Sequence, residues 1–154
     1  MVKPIPDGYY TVTPYLYIKG AAAALEFYKK AFGAKELFRM DWNGKLGHAE
    51  MQIGNSRVMM ADEFPEMGAR GPKTIGGSAV GLMLYVEDVD AVVKQAVAAG
   101  ATLKKPVENQ FYGDRSGFLE DPFGHGWYVS THIEDVPMDE LKKRAAAMAE
   151  KYKS

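Results

Sequence analysis

The sequence predicts an α+β fold: two βαβββ modules forming a curved, cleft-enclosing eight-stranded sheet, followed by a C-terminal helix. Three observations predict it. Leu16-Tyr17-Ile18 runs into a helical stretch that ends at Ala31-Phe32-Gly33-Ala34, and Leu84-Tyr85-Val86 runs into one that ends at Ala98-Ala99-Gly100-Ala101, so one unit occurs twice. Behind each helical stretch the apolar period changes from three-and-four to two, the signature of strands. A single βαβββ unit would leave one sheet face bare, so two units are expected to pair around a cleft.

The elements follow in order. Residues 11–18, TVTPYLYI, are β-branched and aromatic, with Pro14 suiting an edge or a strand start. In residues 20–32, Leu25, Tyr28 and Phe32 form an apolar stripe at helical spacing, and Gly33 stands where a C-cap glycine belongs. Strands are expected at 36–42, 45–53 and 57–62. Asn43-Gly44 joins the first pair, because both turn positions must accept positive φ, and Gly54-Asn55-Ser56 joins the second. Residues 64–79 hold four glycines and two prolines without apolar period and read as a linker or mobile surface loop. The pattern then restarts with a strand at 81–86. A helix follows, with Val89, Val92, Val93, Ala96 and Val97 on one face, and strands at about 101–107, 115–119 and 127–132 complete the unit. From Pro137 to Tyr152 a further amphipathic helix is expected, with Asp139 and Glu140 at its positive end. The expected organisation is one domain over 1–154: module one at 11–63, linker 64–79, module two at 80–133 and the tail helix at 137–152.

Composition narrows the function. Lys plus Arg number 19 and Asp plus Glu 20, a formal charge of −1, which gives neither the basic field of a nucleic-acid binder nor an acidic tail. At 47% hydrophobic and 25% charged, the chain has the make-up of a globular domain. No apolar run nears the roughly 18 residues of a membrane span, and MVKPIPDGYY has no secretory leader pattern, so a cytoplasmic protein without nucleic-acid or membrane partners is expected. With no cysteine, metal ligands would have to come from His48, His125, His132 and carboxylates.

The repeated modules, the run ALEFYKKAFGAK and the late run FLEDPFGHGWYVSTH resemble the vicinal oxygen chelate superfamily, which includes glyoxalase I, bleomycin-resistance proteins and extradiol dioxygenases. The likeness covers about residues 11–133. TPYLYIKG, GHAEMQIGNSRVMMADE and YGDRSGFLEDPFGHGW look closest to its glyoxalase-like, 3-demethylubiquinone-methyltransferase-like bacterial branch. The resemblance implies a divalent metal held by one pair of strand residues from each module. Those positions fall on Thr13, Met60, Gly81 and Tyr128, none of which is an ordinary His or carboxylate ligand. No metal or other cofactor is therefore expected. Bleomycin-resistance proteins of this fold bind their ligand without a catalytic metal, so the resemblance implies a metal-independent small-molecule-binding protein, and a homodimer is expected with it.

Alternation supplies the candidate site. If Ile53 pairs with Arg57, then Gln52 faces Val58, Glu50 faces Met60 and His48 faces Asp62, all on the cleft side. His48 with Asp62 or Glu50 would suit general acid–base work, and the alternative function is a glyoxalase-like lyase using these residues, with or without a displaced divalent metal. The same residues read equally well as a solvent-facing strand or a structural pair. Tyr15, Met60, Tyr112 and Tyr128 would supply aromatic and apolar area, with Thr13, Gln52 and Ser130 beside them. Arg115 would take a carboxylate, phosphate or enolate, or else close an ion pair with Asp114, Glu120 or Asp121. His125 and His132 read as surface residues.

Overall fold

The computed structural model describes residues 1–153. Module one comprises β1 (Tyr15–Ile18), α1 (Ala21–Phe32), β2 (Lys35–Trp42), β3 (Lys45–Ile53) and β4 (Ser56–Asp62). Module two comprises β5 (Gly81–Tyr85), α3 (Val89–Ala99), β6 (Thr102–Asn109), β7 (Asp114–Glu120) and β8 (Gly126–His132). A short α2 (Pro72–Ile75) lies between them, and α4 (Met138–Lys151) follows. The α+β plan of two βαβββ modules and a C-terminal helix is thus present. Its eight strands form two sheets of four, ordered β1-β4-β3-β2 and β5-β8-β7-β6, rather than one hydrogen-bonded sheet.

Local chemistry sets the element ends. Asn43 and Gly44 both take positive φ (49° and 74°), which gives the β2–β3 hairpin the turn whose twist matches its strands. Gly33 closes α1 in the left-handed region at φ 66°. At the other end of α1, Asp62 accepts hydrogen bonds at Oδ1 from Gly20 N (3.1 Å) and Ala21 N (2.8 Å), and at Oδ2 from Leu46 N (2.7 Å). The first two are donors that a helix start leaves orphaned, and the third ties β3 to the same carboxylate. Module two divides the same work between a carboxylate and a neutral side chain, since Asp88 Oδ1 accepts from Ala91 N at 3.0 Å while Thr131 Oγ1 accepts from Val89 N at 3.0 Å and donates to Val86 O at 2.9 Å.

Residues 64–79 are more ordered in shape than their glycine content suggests. Buried Glu63 accepts from Gly71 N (2.8 Å) and from the Thr74 hydroxyl, and Pro72 starts the short α2. The Thr74 and Gly71 donors hold the Glu63 carboxyl below its ordinary pKa.

One core serves both modules and lies on the helix side of both sheets. Leu16, Ile18, Ala49, Met51, Val58 and Met60 pack beneath α1, Leu119 and Val129 beneath α3, and Trp127 reaches across to Tyr28 and Phe32 of α1. The two halves are joined by buried Asp121. Its Oδ2 accepts from the Tyr28 hydroxyl of α1 (2.5 Å) and from Trp127 Nε1 (3.0 Å), while Oδ1 accepts from Phe123 N and His125 N. Burial, with the adjacent Asp121 charge, holds the Tyr28 hydroxyl far above its usual pKa. His125, expected at the surface, is buried and places Nε2 3.1 Å from Tyr17 O, tying the β8 approach to β1. None of the helices among the described residues is long and apolar enough to cross a membrane.

Candidate functional site

The β3–β4 hairpin closes one residue earlier than expected. Ile53 pairs with Ser56, Gln52 with Arg57, Glu50 with Met59 and Ala49 with Met60. Because side chains alternate along a strand, that single step exchanges the faces of β4. Met60 therefore has 0% exposure and packs in the core, away from any cleft. Burying Val58 and Met60 together with Ala49, Met51 and Ile53 is the physical reason for the register. Asp62 leaves the site by the same step and anchors α1. It is not the partner of His48.

The open face of module one brings Tyr15, His48 and Glu50 together. The Tyr15 hydroxyl is 2.8 Å from His48 Nδ1, and Glu50 Oε1 is 3.4 Å from His48 Nε2. With the carboxylate at Nε2, the ring proton belongs there and the Tyr15 hydroxyl donates to Nδ1, an assignment that follows from the network. Burial, reinforced by Tyr17 and Glu50, raises the Tyr15 pKa and keeps the phenol protonated. Phe38, opposite Glu50, and Met40, opposite His48, place exposed apolar side chains on the same face. Phe38 lies 6.1 Å from the His48 ring and Tyr17 5.5 Å from the Tyr15 ring, centroid to centroid. Gln52 points along this face but turns its amide nitrogen to Gly54 O at 3.0 Å. Thr13 lies two residues before β1.

Arg57, opposite Gln52, was not foreseen, because the displaced register had set it opposite Ile53. Its guanidinium donates from Nη1 to Asp7 O (3.1 Å) and stacks 4.8 Å from the Tyr9 ring. Arg57 Nε and the Tyr9 hydroxyl are buried without a hydrogen-bond partner. Burial first, then Glu50, raises the Tyr9 pKa, while Arg57 opposes the shift.

On module two, Asp114, Ser116 and Phe118 alternate opposite His132, Ser130 and Tyr128. Ser130 is fully buried and bonded to Ser116 (2.7 Å) and the Met83 sulfur, so it supports the face from beneath rather than presenting itself to a ligand. Tyr128 packs against Phe118 (4.6 Å) at one side of a 540 Å³ pocket beside Gly81 and Lys73. Tyr112 lies half-exposed near the other end of the sheet, where burial and the Asp114 charge raise its pKa. His132, expected to be a bland surface residue, joins buried Asp114 (Nδ1, 2.8 Å) to Asp135 (Nε2, 2.7 Å), and the Tyr85 hydroxyl donates to Asp114 at 2.8 Å. No sequence period marks such a contact with Asp135.

Arg115 points to the helix side of β7, where it holds Asp90 of α3 through Nε and Nη2 (2.8 and 2.9 Å) and Asn109 through Nη1. Neither the ligand role nor the expected local partners Asp114, Glu120 and Asp121 describe it. Among the described residues no hydrogen bond links the Tyr15–His48–Glu50 chain to the polar residues of module two's face.

The model of the Glyoxalase/Bleomycin resistance protein/Dioxygenase superfamily matches residues 10–129. The chain belongs to this superfamily. An uncharacterised Mycobacterium bovis protein is 42% identical over 135 residues, covering 85% of this chain and 89% of that one. An Arabidopsis thaliana gene product of known structure shares 26% identity, with a TM-score of 0.65 over 79% of this chain and 98% of that one. A PhnB protein of Bacillus cereus, described as a "putative 3-demethylubiquinone-9 3-methyltransferase", has the same fold at 20% identity and TM-score 0.58, covering 79% of this chain and 99% of that one. The superfamily's metal finds no suitable donor set at the aligned positions: Thr13 precedes the strand, Met60 is in the core, and Gly81 and Tyr128 bring no carboxylate or imidazole. No cluster of three or more His, Asp or Glu side chains able to hold a metal occurs elsewhere among the described residues. His48 and Glu50 have Tyr15 rather than Asp62 as their neighbour, which also removes the third ligand of a displaced site.

Proposed function

We propose that this glyoxalase-superfamily chain binds a small, amphipathic, partly aromatic molecule on the open face of module one, without recourse to a metal. The observation that carries the reading is the hydrogen-bonded Tyr15–His48–Glu50 chain set among the exposed Tyr17, Phe38 and Met40. Polar groups of fixed orientation beside aromatic area are what a site for such a molecule requires. The apolar exposure of this face also fits cover by a second copy of the chain, and a homodimer belongs to the proposal. Light scattering reads the dimer directly; a monomer across the working concentration range rejects that part.

Thermal-shift screening with aromatic amines, phenols and acids tests the binding role. A true ligand at a hundred times its Kd adds about 2.7 kcal/mol of apparent stability. His48→Ala and Phe38→Ala should each weaken a confirmed hit at least tenfold while leaving the fold intact. Hits that bind both variants as well as the wild type would overturn the assignment.

The same geometry favours one enzymatic alternative. Glu50 and His48 form an acid–base pair next to a protonated phenol, so an enolisable substrate on this face would meet both a proton acceptor and a donor. Solvent deuterium exchange into a bound ketone, lost in His48→Ala with binding retained, distinguishes that chemistry from binding alone.

A further inference from the structure

A groove of about 990 Å³ lies between the two modules, and at Tyr9 it borders Glu50 of the Tyr15–His48–Glu50 chain. Its floor is apolar and deep, with Phe32 of α1, Leu84 of β5 and Trp127 of β8, the last only 3% exposed. One wall is the N-terminal segment, which crosses over Arg57 at Gly8. There φ is +83°, and an added Cβ would collide with the guanidinium, so only glycine lets the backbone pass. The other wall ends at Glu87 and His132.

Arg57 brings the cation. Three other guanidiniums are committed: Arg115 to Asp90, Arg144 to Glu134 and Glu140, and Arg39 to Glu36. Arg57 pairs with no carboxylate among the described residues. Its one hydrogen bond uses Nη1, and its Nε–Nη2 edge, the side of a guanidinium that grips two oxygens at once, is left without an acceptor. The Tyr9 hydroxyl beside it is a second donor with no acceptor within hydrogen-bond distance, the Glu50 carboxylate lying near enough to raise its pKa without closing a bond. A buried donor without a partner costs stability, and two at one spot mark the place of a missing acceptor.

From these features we infer that the groove between the modules is a second ligand site, selective for an aryl or alkyl monocarboxylate. The carboxylate pairs with the Nε–Nη2 edge of Arg57 and the Tyr9 hydroxyl, and the hydrocarbon part runs over Leu84 and Trp127. A single charge is favoured over a phosphate dianion, because Arg57 is the one Lys or Arg lining the groove among the described residues and is set against Glu87 on the rim and Glu50 beside Tyr9, and the His132 ring is already held between Asp114 and Asp135. The site adds to the open-face proposal and does not depend on it.

The test uses the full chain carrying Trp42→Phe, so that Trp127 is the only indole, and titrates 4-phenylbutyrate, its neutral analogue 4-phenylbutanamide and phenyl phosphate while following indole emission. The expected result is saturable binding of the acid, at least tenfold weaker binding of the amide, and no advantage for the phosphate. Arg57→Gln should bring the acid down to the affinity of the amide. His48→Ala should leave the acid-to-amide ratio unchanged, even where it abolishes an open-face ligand. No saturable response to the acid, equal binding of acid and amide, tighter binding of phenyl phosphate, or a ratio that survives Arg57→Gln or vanishes in His48→Ala would overturn the inference. Because Arg57 also holds Asp7 O, a second reading uses the unaltered residue. The ¹⁵Nε resonance of Arg57 should shift on adding 4-phenylbutyrate to the otherwise native chain, and a stationary resonance overturns the inference as well.

Discussion

The two modules place the same positions of the same sheet in different states of commitment. On module two the polar groups of the face pair with one another, although Met83 and Tyr85 stay exposed: Ser116 bonds Ser130, Tyr85 and His132 share Asp114, and Phe118 packs on Tyr128. On module one the matching face carries the Tyr15–His48–Glu50 chain, exposed Phe38 and Met40, and at its margin the unsatisfied Tyr9 hydroxyl and Arg57 Nε. After duplication of one unit, polar groups that satisfy each other became architecture in the second half. Groups left with spare capacity in the first half are where a ligand gains most, since only an unpaired donor or acceptor has a hydrogen bond still to form.

The comparison can be broken most forcefully at the residue both modules share. Asp121→Ala would leave the Tyr28 hydroxyl, the Trp127 indole and two backbone N–H groups without an acceptor in the interior. A loss of about 4 kcal/mol in urea unfolding is expected, with both modules unfolding together. A loss under about 1 kcal/mol would mean that the modules do not depend on this junction.

A smaller contrast separates the two helix anchors. Asp62→Ala removes two charge-assisted hydrogen bonds at the start of α1 and a third from Leu46 N of β3 and should cost about 2 kcal/mol, whereas Thr131→Val removes neutral ones at α3, whose Asp88 cap stays, and should cost about 1 kcal/mol. Equal losses would show that charge at the helix start contributes nothing extra in module one.

The pH response should come from module two. Asp135 first and Asp114 second raise the His132 pKa above its ordinary value near 6.5. A raised folded pKa means that the contribution of this contact is complete below the unfolded value and fades as pH rises through the folded one. The Hε1 resonance of His132 should therefore titrate at higher pH than a free histidine, and Asp135→Asn should bring that midpoint down. An unchanged midpoint in the variant would remove Asp135 from the account. The smallest effect is expected at Arg115: Arg115→Gln loosens a surface pair with Asp90 and should leave every ligand affinity unchanged.

Much of this plan can be read from sequence, because periodicity and glycine placement are local. The Asn43-Gly44 turn, the Gly33 helix end and the repeat of Leu16-Tyr17-Ile18 in Leu84-Tyr85-Val86 all have their physical cause within a few residues. The Tyr15, His48 and Glu50 positions follow from alternation along their own strands. What lies across the hairpin does not, because closing it at Gly54-Asn55 or one residue later depends on which face of β4 the core accepts. That one residue moved Met60 and Asp62 out of the site and hid Arg57 from it. Arg115 was misread for a related reason: its partner Asp90 is on a helix 25 residues away, and no spacing rule reaches that far. Tyr9 lies in a stretch of no period at all and acquires its place from the guanidinium beneath it.

The Asp121 junction also bears on how the halves of a duplicated protein lose their independence. A phenol from the first copy and an indole from the second converge on one buried carboxylate, so neither copy retains a self-sufficient interior. Each half has become the other's solvent. The two sheets that meet across this junction nonetheless differ, one with its polar groups paired among themselves and the other with the Tyr9 and Arg57 donors left over.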